Sequence, residues 1–433
     1  MKGFVISWFY PPINSSEGLV TFKLLNRSEI KHDVFTQKGN QHWSYKKENK
    51  LQNKDIKTIF GNSTSYDDWV DSCVEYFDKH HKEYDFIMSR SMPPESHIAA
   101  MKIKNKYPHI KWIASFGDPI NFSPYDSVFD DLNTQLNYPV SNAKEYLLRY
   151  MKRPIKKAFI NHQARHIFKK RKELNTLELE IFKSADLIIF NNPYQKQFML
   201  DHYKELPKIN SIILPHSFED SFYDKGKRNK DKPLKKDKEF IITHTGHLDH
   251  LRTPLPFLKA LTKIKLEHPS VYDKLKVNFF GTFDNTSKIY ILDNKLFDIV
   301  EIHKPIDYFS SLSKIMNSDL NLVIDANFSS KLNRNIYFAA KIADYIGARA
   351  PIFAITSPEG ASSDIIRDTG NHQSSHSVDE IVMKLMGIIN NNMEIEMNSA
   401  KTTYINYNAK SVAKKYDNVV KKLLKSGDRF EKS

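Results

Sequence analysis

Short apolar runs alternate along this chain with longer stretches whose apolar residues recur at helical spacing. The alternation is typical of parallel α/β units, in which each buried strand is followed by a helix that covers the sheet. In the first half the spacing predicts helices from Tyr66 to Tyr84 and from Pro94 to Tyr107. Six strands are predicted there: Gly3 to Ser7, Asp33 to Thr36, Phe86 to Ser89, Lys111 to Ser115, Leu187 to Phe190 and Ser211 to Leu214. The first half is therefore predicted to be a doubly wound domain.

Between Asp224 and Glu239 the sequence DKGKRNKDKPLKKDKE has almost no apolar residue and many like charges, which is typical of a linker or an exposed loop. A second alternating series predicts five more strands: Phe240 to Thr245, Lys276 to Phe280, Ile299 to Ile302, Leu320 to Ile324 and Pro351 to Ile355. Helical spacing returns from Ala409 to Leu424. We predict domains at residues 1–223 and 240–405, a basic linker at 224–239, and a closing helix and tail at 406–433.

The composition fits a folded protein of two domains, since 433 residues exceed the usual size of one domain and 40% of them are hydrophobic. The single cysteine, Cys73, excludes an intrachain disulfide framework and favours a reducing cytoplasm. Pro11-Pro12 ends the apolar run from Phe4 to Tyr10 too early for a signal peptide, so this run is interpreted as a buried strand. No apolar run approaches the ~18 residues of a membrane span, and any membrane contact is expected to be peripheral.

The formal charge of +14 is concentrated in one region. Eleven Lys or Arg residues lie between Lys144 and Glu173, against only Glu145 and Glu173, with apolar residues among them. This composition predicts a basic amphipathic helix pair suited to anionic lipid headgroups, to a polyanionic acceptor or in principle to nucleic acid. A solvated helix face is an equally good interpretation, and no nucleic-acid partner is expected.

Two doubly wound domains that face each other place the carboxyl ends of both sheets, where such folds bind ligands, on opposite walls of one cleft. Dehydrogenases, epimerases and periplasmic binding proteins share this plan, so individual loops must decide the chemistry. The chain has no GxGxxG motif, which counts against a standard dinucleotide site.

Three loops of the first half carry candidate acceptor-binding residues. Glu17 and Gly18 open a helix after a Pro-rich turn, where a glycine admits a ligand to the backbone or serves only a tight turn. Asp118, at a strand end in WIASFGDPI, is expected to bind hydroxyl groups or act as a base, or else to cap a turn. Arg90 and His97, in SRSMPPESH, are placed near the same rim, and His97 alone is better explained by a structural role.

Two segments of the second half predict the donor site. THTGHLDHLRTPLPFLKAL is a strand that breaks at Gly246, a polar loop with Arg252, and an apolar helix. KIADYIGARAPIFAITSPEGASSDIIRDTG is a helix with Lys341 and Asp344, a strand, and a loop that opens another helix. The small residues of that loop would let a diphosphate rest on backbone amides while an arginine neutralises its charge. They are Gly360, Ala361, Ser362 and Ser363.

These two segments resemble the donor-binding half of glycosyltransferase family 4, through the patterns TGxLxxxRxPxxxLxAL and KxxxYxGAxxPIxAITxPxGxxxxxIxxTG. The first half is more loosely similar, through PPxxxxEG, SRSxPxxxH and ADLIIFNNPYQKQFM. The resemblance covers most of the chain, and its most specific part lies between Gly246 and Gly370. It implies a GT-B fold and bacterial cell-surface polysaccharide or teichoic-acid synthesis.

The resemblance further implies transfer with retention of anomeric configuration and without a metal. By position, Arg252 matches a donor-phosphate cation and Asp344 the second acidic residue of the family's paired-glutamate motif. Two departures are Ile336, at the place of the first glutamate, and His247, where many members have an arginine. Lys341 is the candidate for the second phosphate ligand. The sequence also contains no DxD between strands, no HExxH and no Cys/His cluster.

The leading hypothesis is a cytoplasmic glycosyltransferase with Arg252, Lys341 and Asp118 as its catalytic residues. A nucleotide sugar, expected to be a UDP-sugar, is the co-substrate, and no cofactor or metal is expected. The acceptor is expected to be a glycan, a lipid-linked molecule or an anionic polymer, with an anionic membrane surface as a further partner. The alternatives are a nucleotide-sugar epimerase or phosphorylase, and a catalytically inactive GT-B-like binding subunit.

Overall fold

The computed structural model describes residues 1–13, 15–38, 56–61, 65–124, 176–206, 208–223, 239–249, 251–329, 331–390 and 404–425. Its strands form two separate sheets, and within the described residues every pair of neighbouring strands in both sheets is parallel. The predicted doubly wound α/β architecture with two sheets is therefore confirmed.

The first sheet has the order β3-β2-β1-β4-β5-β6-β7. Its strands are β1 (Lys2–Ser7), β2 (Lys31–Gln37), β3 (Ile56–Gly61), β4 (Phe86–Arg90), β5 (Lys111–Ser115), β6 (Leu187–Phe190) and β7 (Ser211–Ile213). In the centre, Val5 pairs with Val34 on one side and with Met88 on the other. Because helices cover both faces, the central strands are apolar along nearly their whole length.

The second sheet has the order β10-β9-β8-β11-β12-β13. Its strands are β8 (Phe240–Thr245), β9 (Leu275–Phe280), β10 (Val300–His303), β11 (Leu320–Ile324), β12 (Ile352–Ile355) and β13 (His372–Ser374). In both sheets the strand order reverses beside the first strand of the domain, and ligands of such sheets bind at that point, outside the carboxyl ends of the strands.

The helices connect these strands on both faces of each sheet. In the first half they are α1 (Ser16–Arg27), α2 (Tyr66–His80), α3 (Glu95–Lys106), α4 (residues 176–184) and α5 (Pro193–Asp201). In the second half they are α6 (Leu255–Glu267), α7 (Pro269–Tyr272), α8 (Asn285–Asp293), α9 (Tyr308–Met316), α10 (Ala340–Ala348), α11 (Ala361–Asp368), α12 (Val378–Ile389) and α13 (Ala409–Lys425).

Side-chain caps fix where several helices begin. The hydroxyl of Ser65 accepts a hydrogen bond from the Asp68 amide at the start of α2, and Asn192 accepts one from the Gln195 amide at the start of α5. Such caps satisfy amides that have no partner inside the helix. Asn192 also matters for the domain interface, because its side-chain amide donates to the Ile336 carbonyl in the second domain at 2.9 Å.

One apolar cluster lies between the two domains. On β1, Phe4 and Ile6 pack toward α2 and α3, whereas Val5 belongs to a cluster that also contains Phe22 of α1 and Ile342 of α10. A third cluster fills the far side of the second sheet, beneath α6 and α12. This cluster contains residues of both domains and so joins their inner faces.

Helix α13 crosses back from the second domain and packs on α1. The Asp417 carboxylate accepts hydrogen bonds from the Ser28 hydroxyl at 2.5 Å and from the Glu29 amide at 2.8 Å. Tyr416 is fully buried, and its hydroxyl lies 3.2 Å from Nε2 of His32. The closing helix predicted from Ala409 to Leu424 is therefore present, and its partner is the first domain.

Two strands, β3 and β13, were not predicted from the sequence, and both lie at sheet edges. β3 mixes apolar and polar residues, and β13 consists of only three residues, none of them aliphatic or aromatic apart from the imidazole of His372. The predicted basic helix pair between Lys144 and Glu173 lies outside the described residues, as does the linker apart from Glu239. Within the described ranges, no helix combines the length and the apolar character needed to span a bilayer.

Candidate active site

A cleft of about 370 Å³ lies between the two sheets, at the carboxyl ends of their strands. The first domain contributes residues of α1, of the loop after β5 and of the segment after β7. The second domain contributes the loops after β8, β9, β10 and β11 and the beginning of α10. Of the predicted site residues, those lining this cleft are Glu17, Asp118, Gly246, His247, Arg252, Lys341 and Asp344.

The Lys341 ammonium lies directly over the backbone of Gly246. Gly246 has a φ of +120°, and a Cβ at this position would lie 2.8 Å from Lys341 Nζ. A side chain here would therefore be strained and would also displace the ammonium. Lys341 Nζ lies 3.1 Å from Nε2 of His244, whose Nδ1 is 2.9 Å from the Leu322 carbonyl. Burial and the Lys341 charge hold the pKa of His244 well below its usual value, so the imidazole is neutral and its Nε2 accepts from the lysine.

Arg252 is the second cation at this point. Desolvation and the charge of Arg252 lower the pKa of Lys341 to about 7, while Asp325 and Asp249 act in the opposite direction. Arg252 also acts on the pKa of His244, in the same domain, and of Asp118, in the other. Two cations that repel each other across the loop after β8 form a site where an anion relieves the repulsion.

The amino end of α10 opens into the same part of the cleft. Ala339, Ala340 and Lys341 line the cleft, and no described residue accepts a hydrogen bond from the amides of Ala340 or Lys341. The first amides of a helix have no partner within it and carry the positive end of the helix dipole. This helix end therefore adds two donors to the two cations.

The four small residues predicted at the start of α11 do not line the cleft. The Ala361 amide donates to the Asn335 carbonyl at 2.9 Å, and a Cβ on Gly360 would lie only 2.3 Å from that oxygen. Ser362 and Ser363 are fully buried, and the Ser363 hydroxyl donates to the Pro358 carbonyl. The chain's own segment around Asn335 thus takes the first amide of this helix, and the helix start that lines the cleft is that of α10.

Asp344 lines the cleft but already has partners. Its Oδ1 atom lies 2.5 Å from Nζ of Lys23, on α1 of the first domain, and accepts from the Tyr308 hydroxyl at 2.8 Å. Lys23 is itself 2% exposed and lies over the Tyr308 ring. The predicted role of Asp344 in donor binding would use its second oxygen, or would replace one of these partners.

An apolar wall lies on the β9 and β10 side of the cleft. It is made by Phe280, Pro305 and Ile306, with Gly281 between the first two. A Cβ on Gly281 would lie 2.0 Å from the Gly246 carbonyl oxygen, and its φ is +148°. Glycine is therefore required where the loops after β8 and β9 meet. A flat, uncharged group fits this wall.

The opposite wall, in the first domain, carries two carboxylates and one arginine. Desolvation and the charge of Glu17 raise the pKa of Asp118 to about 6, while Arg252 and Arg90 act to lower it. Arg90 is buried behind Glu17, with Nη2 2.9 Å and Nε 3.0 Å from Glu17 Oε2. Gly117 makes this approach possible, since a Cβ there would lie 2.6 Å from the same oxygen.

Three residues predicted to bind an acceptor lie outside the cleft lining. A Cβ on Gly18 would lie 3.2 Å from the Phe9 carbonyl carbon, so this glycine admits the chain's own backbone rather than a ligand. Arg90 reaches the cleft only through Glu17. His97 is fully buried with Nδ1 2.7 Å from the Ser89 hydroxyl, and desolvation together with Arg90 lowers its pKa to about 3. These three residues support the wall of the cleft.

Lys23 and His216 are two of the lining residues that were not predicted from the sequence. Lys23 lies in α1 six residues beyond Glu17, nearly two turns further along the helix. A lysine in an amphipathic helix carries no signal of burial. His216 follows β7 and contacts the ring of Phe338 across the domain boundary. Desolvation, Arg90 and Lys23 lower the pKa of His216 to about 3, so this imidazole is neutral in the cleft.

The two departures from the family pattern have different surroundings. His247 is exposed, with Nδ1 2.8 Å from the Thr282 hydroxyl oxygen. Ile336 is 4% exposed and packs in a small apolar cluster with Phe328 and Tyr337. Among the residues that the structure describes, no three His, Cys, Asp or Glu side chains are grouped to hold a metal ion.

We compared the sequence and the fold of this chain with those of known proteins. No family model matches the chain, and no curated protein matches it in sequence. Among solved structures it is similar to sucrose-phosphate synthase from Thermosynechococcus elongatus, with a TM-score of 0.65 and 11% identity over 98% of this chain and 100% of the other. It is also similar to Anabaena HepE in complex with UDP, with a TM-score of 0.63 and 11% identity over 98% and 100%. A third similar structure is the lipopolysaccharide outer core galactosyltransferase WaaB, with a TM-score of 0.62 and 12% identity over 98% and 99%. The predicted GT-B fold is confirmed.

Proposed function

We propose that this protein is a glycosyltransferase that transfers a sugar from a nucleotide-sugar donor, bound mainly by the second domain, to an acceptor bound by the first. One observation carries the proposal. Arg252, Lys341 and the open amino end of α10 converge at Gly246, inside a cleft between two doubly wound domains. A diphosphate with a flat base on one side and a sugar on the other matches this arrangement.

The groups of the proposed donor site suit a leaving group that gains negative charge during the reaction. As the glycosidic bond breaks, the departing diphosphate becomes more anionic, and fixed cations and amides then bind it more tightly. Arg252 and Lys341 supply the positive charge that a metal ion provides in other transferases. The proposed reaction is therefore independent of a divalent metal.

The acceptor side rests on Asp118, which faces Arg252 across the cleft. Its carboxylate would receive a hydrogen bond from the acceptor hydroxyl and hold that oxygen beside the sugar C1. The geometry of transfer is proposed to be front-face, with retention of anomeric configuration. The proton of the hydroxyl would then pass to the departing phosphate oxygen.

The donor is proposed to be a UDP-sugar and the acceptor a cell-surface glycan, lipid-linked molecule or anionic polymer. HepE, which was solved with UDP, and WaaB, which acts on the lipopolysaccharide outer core, support these two choices by their fold. The eleven cations between Lys144 and Glu173 support peripheral binding to anionic lipid. Sedimentation with anionic vesicles at low salt should exceed sedimentation with neutral vesicles; equal sedimentation would contradict membrane association.

The experiment that tests the function is donor consumption by the full chain. UDP-, GDP-, ADP- and CMP-sugars are offered one at a time, with and without glycan and lipid-linked acceptors, and free nucleotide is measured. Release of nucleotide that depends on an acceptor supports a transferase. Conversion of the sugar without acceptor indicates an epimerase, and binding of no nucleotide sugar would indicate an inactive subunit that docks onto a partner.

A further inference from the structure

A buried carboxylate in the cleft has a free oxygen. Asp325 follows β11, lines the cleft and is 5% exposed. Its Oδ2 atom accepts from the side-chain amide of Asn335 at 3.0 Å and from the hydroxyl of Thr356 at 2.8 Å. No described residue hydrogen-bonds to Oδ1. Buried carboxylates normally have both oxygens hydrogen-bonded, so Oδ1 has room for a donor that comes from the cleft.

The position of Asp325 in the sheet indicates which part of a ligand it meets. The order β10-β9-β8-β11 places the loop after β8, with its two cations, between the apolar wall on β9 and β10 and the carboxylate on β11. Neighbouring strands are roughly 4.8 Å apart, so the three positions are spaced like the parts of an extended nucleotide sugar. With the diphosphate at Gly246 and the base against Phe280 and Ile306, the sugar lies at Asp325.

The charges agree with this order. Asp325 acts to raise the pKa of Lys341, so the carboxylate and the phosphate-side cation lie in the same electrostatic neighbourhood. A second phosphate at Asp325 would be repelled, and so would a carboxylate group on the ligand. Hydroxyl groups, in contrast, donate well to a buried carboxylate.

We propose that Oδ1 of Asp325 accepts hydrogen bonds from the hydroxyl groups of the transferred sugar and makes the site selective for neutral, hydroxyl-bearing sugars over uronic acids. This inference rests on the proposed function, since it takes the diphosphate to lie at Gly246. Asn335 and Thr356 keep the carboxylate in place. Asn335 is in turn fixed, because its Oδ1 accepts from the Tyr337 amide at 3.0 Å.

Binding measurements test this inference without relying on turnover. UDP, GDP and ADP are titrated by calorimetry to find the nucleotide that binds, and its neutral sugar and uronic acid conjugates are then compared with it. We use wild type, Asp325→Asn and Thr356→Val. The asparagine keeps the size of the side chain and removes its charge. The valine removes one bond to Oδ2 and leaves the charge, and therefore serves as the matched control.

In the wild type, at least one neutral sugar conjugate should bind about 10-fold or more tightly than the nucleotide diphosphate alone. Asp325→Asn should lose this gain, bind the bare nucleotide as before and improve its relative affinity for the uronic acid conjugate. Thr356→Val should retain most of the gain. A conjugate that lacks the hydroxyl facing Oδ1 should bind wild type and Asp325→Asn equally, within about twofold.

The outcomes separate the two proposals. If Asp325→Asn binds all conjugates like the wild type, or loses affinity for the bare nucleotide to the same extent, the assignment of Asp325 to the sugar is overturned. If none of the three nucleotides binds, both the assignment and the proposed function fail. If the sugar-dependent gain requires Asp325 while no acceptor supports turnover, the assignment stands and the transferase proposal fails.

Discussion

Lys23 and Asp344 form an ion pair of 2.5 Å across the cleft, and they belong to different domains. The lysine is almost fully buried, and the carboxylate retains 14% exposure of its side chain. Asp344, which the sequence predicts to be a donor-binding residue, thus also forms an ion pair that joins the two walls. A ligand that bonds Asp344 would act on the contact between α1 and α10, so we expect donor binding to be linked to the contact between the two domains.

The ion pair between Lys23 and Asp344 should be measurable as a coupling free energy between the two residues. We expect Lys23→Met and Asp344→Asn each to lower the melting temperature, and a double-mutant cycle to give a coupling of about 1–3 kcal/mol, as for charged residues in contact. The matched control is the exposed pair Lys421 and Glu29, for which we expect less than about 1 kcal/mol. If the effects of Lys23→Met and Asp344→Asn on the free energy of unfolding are additive in chemical denaturation, the ion pair does not stabilise the contact between the domains.

Arg252→Ala should reduce turnover by about 100-fold or more, because it removes one fixed stabiliser of the departing diphosphate. Arg252→Lys should recover only part of this loss, since a point charge does not reproduce a bidentate fork. Lys263, on α6 in the same domain, pairs with Asp379 at the surface, and Lys263→Ala is the control for loss of one positive charge. A folded Arg252→Ala protein with wild-type kinetics would remove this residue from the mechanism.

Binding of the nucleotide diphosphate should weaken as the pH rises. The pKa of Lys341 is lowered to about 7, so in the unliganded protein the ammonium loses its proton above that pH and one cation disappears from the site. We expect a loss of affinity between pH 7 and 9 in calorimetric titrations. Lys341→Arg should largely abolish the dependence, because arginine keeps its charge over this range. A pH-independent wild-type affinity would exclude Lys341 as a phosphate ligand.

The acidic limb of the pH profile of kcat/KM should come from Asp118. Its pKa is raised to about 6, so below that pH the carboxyl carries a proton and does not accept from the acceptor hydroxyl. We expect kcat/KM to rise through pH 6. In Asp118→Asn this limb should disappear and kcat/KM at pH 7 should fall about 10-fold or more. Asp78→Asn, at a surface ion pair of α2, should leave the profile unchanged. A limb that persists in Asp118→Asn belongs to another group.

EDTA should leave activity essentially intact, because the groups assigned to the diphosphate are cations and amides rather than paired carboxylates. The measurement is initial rate before and after exhaustive chelation, with readdition of magnesium or manganese as the control. Loss of activity that is restored only by one of these metals would contradict the proposed donor site.

Strand and helix periods were enough to predict most of this fold, because buried parallel strands are apolar almost without interruption. β3 and β13 were missed because edge strands bury only part of their surface and so carry weaker patterns. At the proposed donor site, Gly246, Arg252 and Lys341 could be predicted because a strand break, a polar loop and a helix start are visible in the sequence. The structure brings all three to one place.

Other parts of the site depend on tertiary contacts that leave no local pattern. Lys23 and His216 lie in the cleft only because α1 and the segment after β7 meet the second domain. The start of α11 was a reasonable candidate for a phosphate site by its small residues, yet the Asn335 segment packs over it. The path of the segment around Asn335 decides what the first residues of α11 contact, and the local sequence of α11 does not show it.

Helix α13 has a consequence for how this protein can be divided. It follows the second domain in sequence and completes the surface of the first, where Asp417 is bonded to Ser28 and Glu29. The first domain is thus assembled from two distant stretches, and the chain passes between the domains twice. A chimera that exchanges donor specificity therefore needs two junctions, one between β7 and β8 and another between α12 and α13, so that each α1 keeps its native partner.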